Sequence, residues 1–124
     1  MGKAESAIRS QEEALKRASD FIKKVASMCM EREYRFEGAY LIGSRAREDY
    51  LEDSDIDLVL IISGIEGLNR LERLNLIKSL LEPGIEAFIY TPKEWHNSDS
   101  IWIRELKIES KQINHHEVGE KSRT

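Results

Sequence analysis

Asp55 and Asp57 stand two residues apart, immediately before the apolar run Leu58 to Ile62. On an extended chain alternate side chains share a face, so these two carboxylates would lie side by side. Held that close they repel, and one is driven towards its protonated form unless a cation sits between them. A hard divalent ion such as Mg2+ takes oxygen ligands from one or two carboxylates together with phosphates and waters, and would remove that repulsion. An isolated Asp-x-Asp is more often just a solvated polar turn, so the neighbouring residues have to decide. Upstream, Gly43-Ser44 follows an apolar segment and precedes Arg45-Ala46-Arg47-Glu48, which contains good helix formers. This places Ser44 to cap a helix whose unpaired N–H groups attract phosphate. Gly43 would let a ligand approach the backbone, and Arg45 and Arg47 could add charge-assisted bonds to a polyphosphate. The plainer alternative is a common Gly-Ser turn, with Arg45 in a surface ion pair with Glu48 or Asp49 worth under about 1 kcal/mol. A third acid, Glu86, begins the run Glu86 to Tyr90 and could serve as a further metal ligand or as the base for an attacking hydroxyl. Locally it reads just as well as an exposed residue at a strand start.

The elements that must position these groups follow from hydrophobic spacing. Ile8, Leu15, Ala18, Ile22, Val25 and Cys29 form an apolar stripe, uninterrupted by Gly or Pro, that predicts one long amphipathic helix over about 4–32. Its first turns carry few apolar residues, so that end is expected to fray, project into solvent or meet a partner. Residues 36–43 read as a strand ending in glycine. Residues 56–62 are apolar without alternation, as in a central strand covered on both faces. Leu68, Leu71, Leu74, Ile77 and Leu80 predict a helix over 67–81, closed by Pro83-Gly84. Residues 85–90 read as a third strand, and Thr91-Pro92 as the cap and first position of a short helix to about His96. Trp102, Ile103 and Leu106 mark one more helical face, and Ser110 to Ile113 a short edge strand. This alternation predicts a small mixed α/β domain, of the α+β kind, with helices packed on a sheet whose strand order stays open. Residues 1–114 are read as one domain and 115–124 as a disordered tail.

At 124 residues, with 40% hydrophobic and 34% charged residues, the chain has the composition of one folded, heavily charged domain rather than of a disordered segment. Its net charge of −4 offers no overall attraction to nucleic acid. The single cysteine, Cys29, excludes an internal disulfide and, with no apolar stretch of spanning length and no signal-peptide pattern at the start, suggests a cytoplasmic setting. His115-His116 reads as a solvated pair. Trp95 and Trp102 read as packing residues, with stacking on an adenine as the alternative.

Gly43-Ser44, ten intervening residues, then Asp55-Ile56-Asp57 resemble the signature of the minimal nucleotidyltransferases of the DNA polymerase beta superfamily, and Ile85 to Trp95 resembles their third-acid segment. The similarity covers about residues 20–114. It implies a polymerase-beta-type nucleotidyltransferase fold in which Gly43 and Ser44 hold the nucleotide's phosphates, with Arg45 and Arg47 near the triphosphate. It further implies that Asp55 and Asp57 bind two Mg2+ ions, and that Glu86 fills the third catalytic and metal-binding position, commonly Asp. Glu48 stands where many relatives have Gly, which implies a different helix end and an extra negative charge near the site. The implied reaction is in-line attack of an acceptor hydroxyl on the α-phosphate of a nucleoside triphosphate such as ATP, releasing pyrophosphate. Larger relatives carry acceptor-binding domains, so this chain is expected to need a partner. The resemblance implies a helical HEPN-type protein that receives AMP, with this chain as the antitoxin, while homo-oligomerisation stays open. Two other readings stand beside it: a binding module that neutralises a partner without turnover, and an enzyme that nucleotidylates a small hydroxylated molecule.

Overall fold

The computed structural model describes residues 3–97 and 99–113. Residues 115–124, read above as a tail with the His115-His116 pair, lie outside the described residues. In chain order the elements are α1 (Lys3–Glu31), β1 (Arg35–Ile42), α2 (Gly43–Arg47), β2 (Ile56–Ser63), α3 (Arg70–Ile77, continued by a 3-10 turn over Lys78–Leu80), β3 (Ile85–Tyr90), α4 (Pro92–Asn97), α5 (Ile101–Glu109) and β4 (Lys111–Ile113). The strands form one sheet in the order β3-β2-β1-β4. β1 pairs antiparallel with β2 and β4, while β2 and β3 run parallel. The parallel pair requires a crossover, which α3 supplies.

The period of two sorts the strands onto two cores. Ala39 and Leu41 of β1, Ile56, Leu58, Leu60 and Ile62 of β2, and Ile85, Ala87 and Ile89 of β3 pack with Ala18, Phe21, Ile22, Val25 and Cys29 of α1 and Ile77 of α3. The alternate residues Ile42, Val59 and Ile61 pack with Trp95 of α4 and Ile103 and Leu106 of α5 on the opposite face, joined by Tyr40, Phe88 and Tyr90. β2 is therefore covered on both sides, as its unbroken apolar run predicts. Cys29 is 1% exposed, and burial pushes its thiol up to about 11, which makes it packing and not a nucleophile.

Two local features bear on the site. Thr91 and Glu94 bond reciprocally through side chain and backbone at the start of α4, and both oxygens of Glu94 also receive the guanidinium of Arg73 at 2.7 and 3.0 Å. This ties α3, β3 and α4 together and holds the Glu94 carboxyl below its usual range, chiefly through the Arg73 bond. The start of α1 is also anchored: Tyr50 Oη donates to the Ala7 carbonyl and Gln11 Nε2 to the Arg45 carbonyl. Its polar first turns thus dock on the loop after α2, which corrects the expectation of a projecting end.

Candidate active site

The end of β1, the start of β2 and the start of β3 converge at one edge of the α5-covered face. Ile42 is opposite Asp57 in the β1–β2 register, and Asp57 is opposite Glu86 in the β2–β3 register. Residues 57 and 86 thus point to the side of the sheet that carries α5, while Ile56 and Ile85 point into the α1 core. A cleft of about 540 Å³ opens there, and Gly43, Ser44, Arg47, Asp55, Asp57 and Glu86 all line it. A larger cavity of about 630 Å³ lies beyond Phe88 and Trp102. It holds neither the acid pair nor the Gly-Ser turn, so the smaller cleft is the candidate site.

Gly43 has a positive φ of 75°, and a Cβ built on it would lie 2.5 Å from Asp57 Oδ2. Glycine is thus required twice, by the left-handed backbone and by the carboxylate pressed against it. Because the chain turns at Gly43, the cap position of α2 falls on Ile42, with no side-chain cap bond, and Ser44 lies inside the first turn. This corrects the reading of Ser44 as the cap. The residue lines the cleft instead.

The two arginines diverge. Arg45 is 3% exposed and faces away from the cleft. Its guanidinium donates to the carbonyls of Ser54 (2.9 Å) and Glu52 (3.2 Å), to Ser10 Oγ and to Gln11 Oε1, and lies 4.9 Å from the Tyr50 ring centre. It is neither a phosphate ligand in this arrangement nor a surface ion pair. It fastens the 48–54 loop, and with it Asp55, to α1 and α2. Arg47 is the cationic side chain on the cleft wall, where it bonds Asp49 at 3.1 Å and Glu109 at 3.0 Å.

Glu48 takes a left-handed φ of 68° at the end of α2, a conformation glycine adopts without strain. Its carboxylate meets Lys111 of β4 at 2.6 Å, and the residue is not part of the cleft lining. The helix end is therefore the one a Gly would give, and the added charge is directed away from the acids.

Electrostatically the cleft is crowded with like charge. Desolvation by partial burial raises the Asp57 carboxyl above its ordinary value, and repulsion from Glu86, Asp55 and Glu109 adds to it, while Arg47 works in the opposite direction. An acid half-buried among three others needs a cation or a proton. Among the described residues no three acids are drawn together into a ready cage for a metal ion. Mg2+ does not need one, since it binds through one or two carboxylates completed by phosphates and water. The neighbouring Asp55 and Asp57 carboxylates fit such an ion, with Glu86 opposite Asp57 on the same cleft as a further oxygen donor.

Glu109 was not singled out by sequence reasoning. Its Oε2 accepts the Gly43 N–H at 2.7 Å and its Oε1 accepts from Arg47. Glu105 and Trp102 line the same wall. The available signal was helical spacing: once Ile103 and Leu106 are buried, Trp102, Glu105 and Glu109 share a flank of α5. That this flank closes over α2 is a long-range fact.

The family model described as polymerase beta, nucleotidyltransferase, matches residues 23–120. The chain belongs to this family. It is also similar to a protein from Sulfolobus solfataricus, solved at 1.40 Å and described as a "putative nucleotidyltransferase": 30% of residues are identical, the match covers 90% of this chain and 89% of that one, and the TM-score is 0.73. No functionally curated protein matches the chain. The mixed sheet and its helices are thus a polymerase-beta-type nucleotidyltransferase fold, and members of the family in general use a nucleoside triphosphate and a divalent metal. No helix among the described residues is long and apolar enough to cross a membrane.

Proposed function

We propose that this family member transfers a nucleoside monophosphate, AMP from ATP, to a hydroxyl of a partner protein, with Mg2+ as the assisting ion. The observation that carries the reading is the register of Asp57 against Glu86, beside Asp55 and the Gly43-Ser44 turn, in one cleft. Asp55, Asp57 and Glu86 would hold the metal, which supplies charge neutralisation to the attacking and leaving oxygens. The Gly43 amide and Arg47, both bonded to Glu109 in this structure, would bind and orient the phosphates in its place. The acceptor oxygen forms a bond to the α-phosphorus as the bond to the bridging oxygen of pyrophosphate breaks. Glu86, exposed at the cleft, is placed to hold the metal or to accept the hydroxyl's proton.

The acceptor proposed is a helical protein of the HEPN type, toxic until modified, which makes this chain an antitoxin. The test combines the chain, alone and with the product of its neighbouring gene, with Mg2+ and α-labelled nucleotides. Label on the partner is expected, and Asp57→Ala should abolish it. Absence of label, with Asp57→Ala still neutralising the partner, would leave a binding module in its place; label on a small hydroxylated compound would identify that acceptor instead.

A further inference from the structure

The cleft has a polar end and an aromatic end, and both are carried by one helix. Glu109 of α5 reaches the Gly43 amide, while Trp102, seven residues earlier and about 10 Å away along the axis, lines the same cleft at its other end. Trp102 is 53% exposed, which is unusual for so large an apolar ring. It is nonetheless held on two sides. Its Nε1–H donates to Tyr90 Oη at 3.0 Å, and its ring meets Phe88 edge-on at a centroid distance of 6.2 Å. Tyr90 is in turn stacked on the buried Trp95 at 6.1 Å. Phe88 lies two residues beyond Glu86 on β3 and points to the same face, so the aromatic wall begins about 7 Å from the third acid.

A nucleoside triphosphate has the same sequence of chemistry, with charge at one end and a flat aromatic base at the other. Building on the transferase reading, we infer that Trp102 is the platform on which the nucleobase stacks. Its one polar atom is already bonded to Tyr90, so the indole offers the base a π-face and no hydrogen-bond code. Recognition of this kind grades bases by stacking area, which favours purines over pyrimidines. The Tyr90 and Phe88 contacts fix the ring before the nucleotide arrives, which limits the ordering cost of binding.

The test measures binding of ATP, GTP, CTP, UTP and inorganic tripolyphosphate, each with Mg2+, to the intact chain and to Trp102→Ala and Trp102→Phe, with thermal melts to establish that each variant is folded. The inference expects tighter binding of ATP and GTP than of CTP and UTP. Trp102→Ala should weaken the purine nucleotides roughly 5- to 100-fold and level the four bases, leave tripolyphosphate within about twofold, and be partly rescued by Trp102→Phe. Unchanged nucleotide binding in Trp102→Ala would overturn the assignment while leaving the transferase reading in place, and an equal loss for tripolyphosphate would overturn it by showing that the ring shapes the cleft and does not stack on the base. If the intact chain binds neither nucleotide nor tripolyphosphate, the transferase reading falls and this inference with it.

Discussion

Glu109→Gln should make this protein bind triphosphate more tightly. In the structure the Glu109 carboxylate holds the Gly43 N–H at 2.7 Å and Arg47 at 3.0 Å, the two donors on the cleft wall best placed for a phosphate. One backbone N–H cannot fully serve two anions, so a triphosphate has to displace the carboxylate. A charge-assisted bond to a backbone N–H contributes about 1.5–3 kcal/mol, and the solvent-screened Arg47 contact adds little to it. Glutamine keeps the shape and can still accept one neutral bond worth about 0.5–1.5 kcal/mol. The difference, about 1–2 kcal/mol, corresponds to roughly 5- to 30-fold tighter binding. Calorimetric titration with inorganic tripolyphosphate and Mg2+ at about 0.15 M salt, where exposed charges are largely screened, reads this directly. A thermal melt of the variant establishes that α5 stays in place. Unchanged or weaker binding would refute the reasoning and recast Glu109 as a strut that shapes the Gly43 turn.

Asp57→Asn should abolish transfer yet stabilise the metal-free chain. The fold raises the Asp57 carboxyl above its ordinary 3.8, so its ionisation costs stability as pH rises through 3.8 towards the folded value; melts across pH 3 to 7 should show the variant's advantage emerge over that window and vanish below it. Facing like charges across paired strands cost a few tenths to about 1 kcal/mol, and Mg2+ should raise the wild-type melting temperature but not the variant's. Gly43→Ala should lower the melting temperature by several degrees and abolish nucleotide binding, because the new methyl meets Asp57 Oδ2 in a strained backbone; calorimetry and melts test both. Arg45→Ala should cost about 2–4 kcal/mol in a denaturant titration by leaving the part-buried Ser54 carbonyl without its Arg45 donor and the Glu52 carbonyl with Ser10 Oγ alone. Glu48→Gly should leave the melting temperature unchanged or raise it slightly, since it relieves a left-handed residue and loses only an exposed ion pair, and it should leave nucleotide binding unchanged.

The division between sequence and tertiary structure runs through particular residues. Local spacing was enough for the elements: the apolar stripe from Ile8 to Cys29 became α1, the unbroken run after Asp57 became the doubly covered β2, and Thr91-Pro92 opened α4. Period and end signals are short-range, so they survive without knowledge of the fold. The Gly43-Ser44 to Asp55-x-Asp57 spacing likewise identified the acid pair and its turn, because one short segment carries both. What the sequence left undecided depended on contacts between distant segments. Strand order placed Glu86 opposite Asp57 across a parallel pair, which no local pattern encodes. The burial of Arg45 was settled by Gln11 and Ser10 of α1, 34 and 35 residues before it in the chain, which close around its guanidinium together with the 48–54 loop. Glu109 reaches Gly43 over 66 residues because α5 packs across the sheet's second face. The sequence by itself singled out the candidate acids and the Gly43-Ser44 turn; only tertiary packing decided that they meet, that Arg45 leaves them and that Glu109 joins them, since a side chain's partners are chosen by the burial of everything around it.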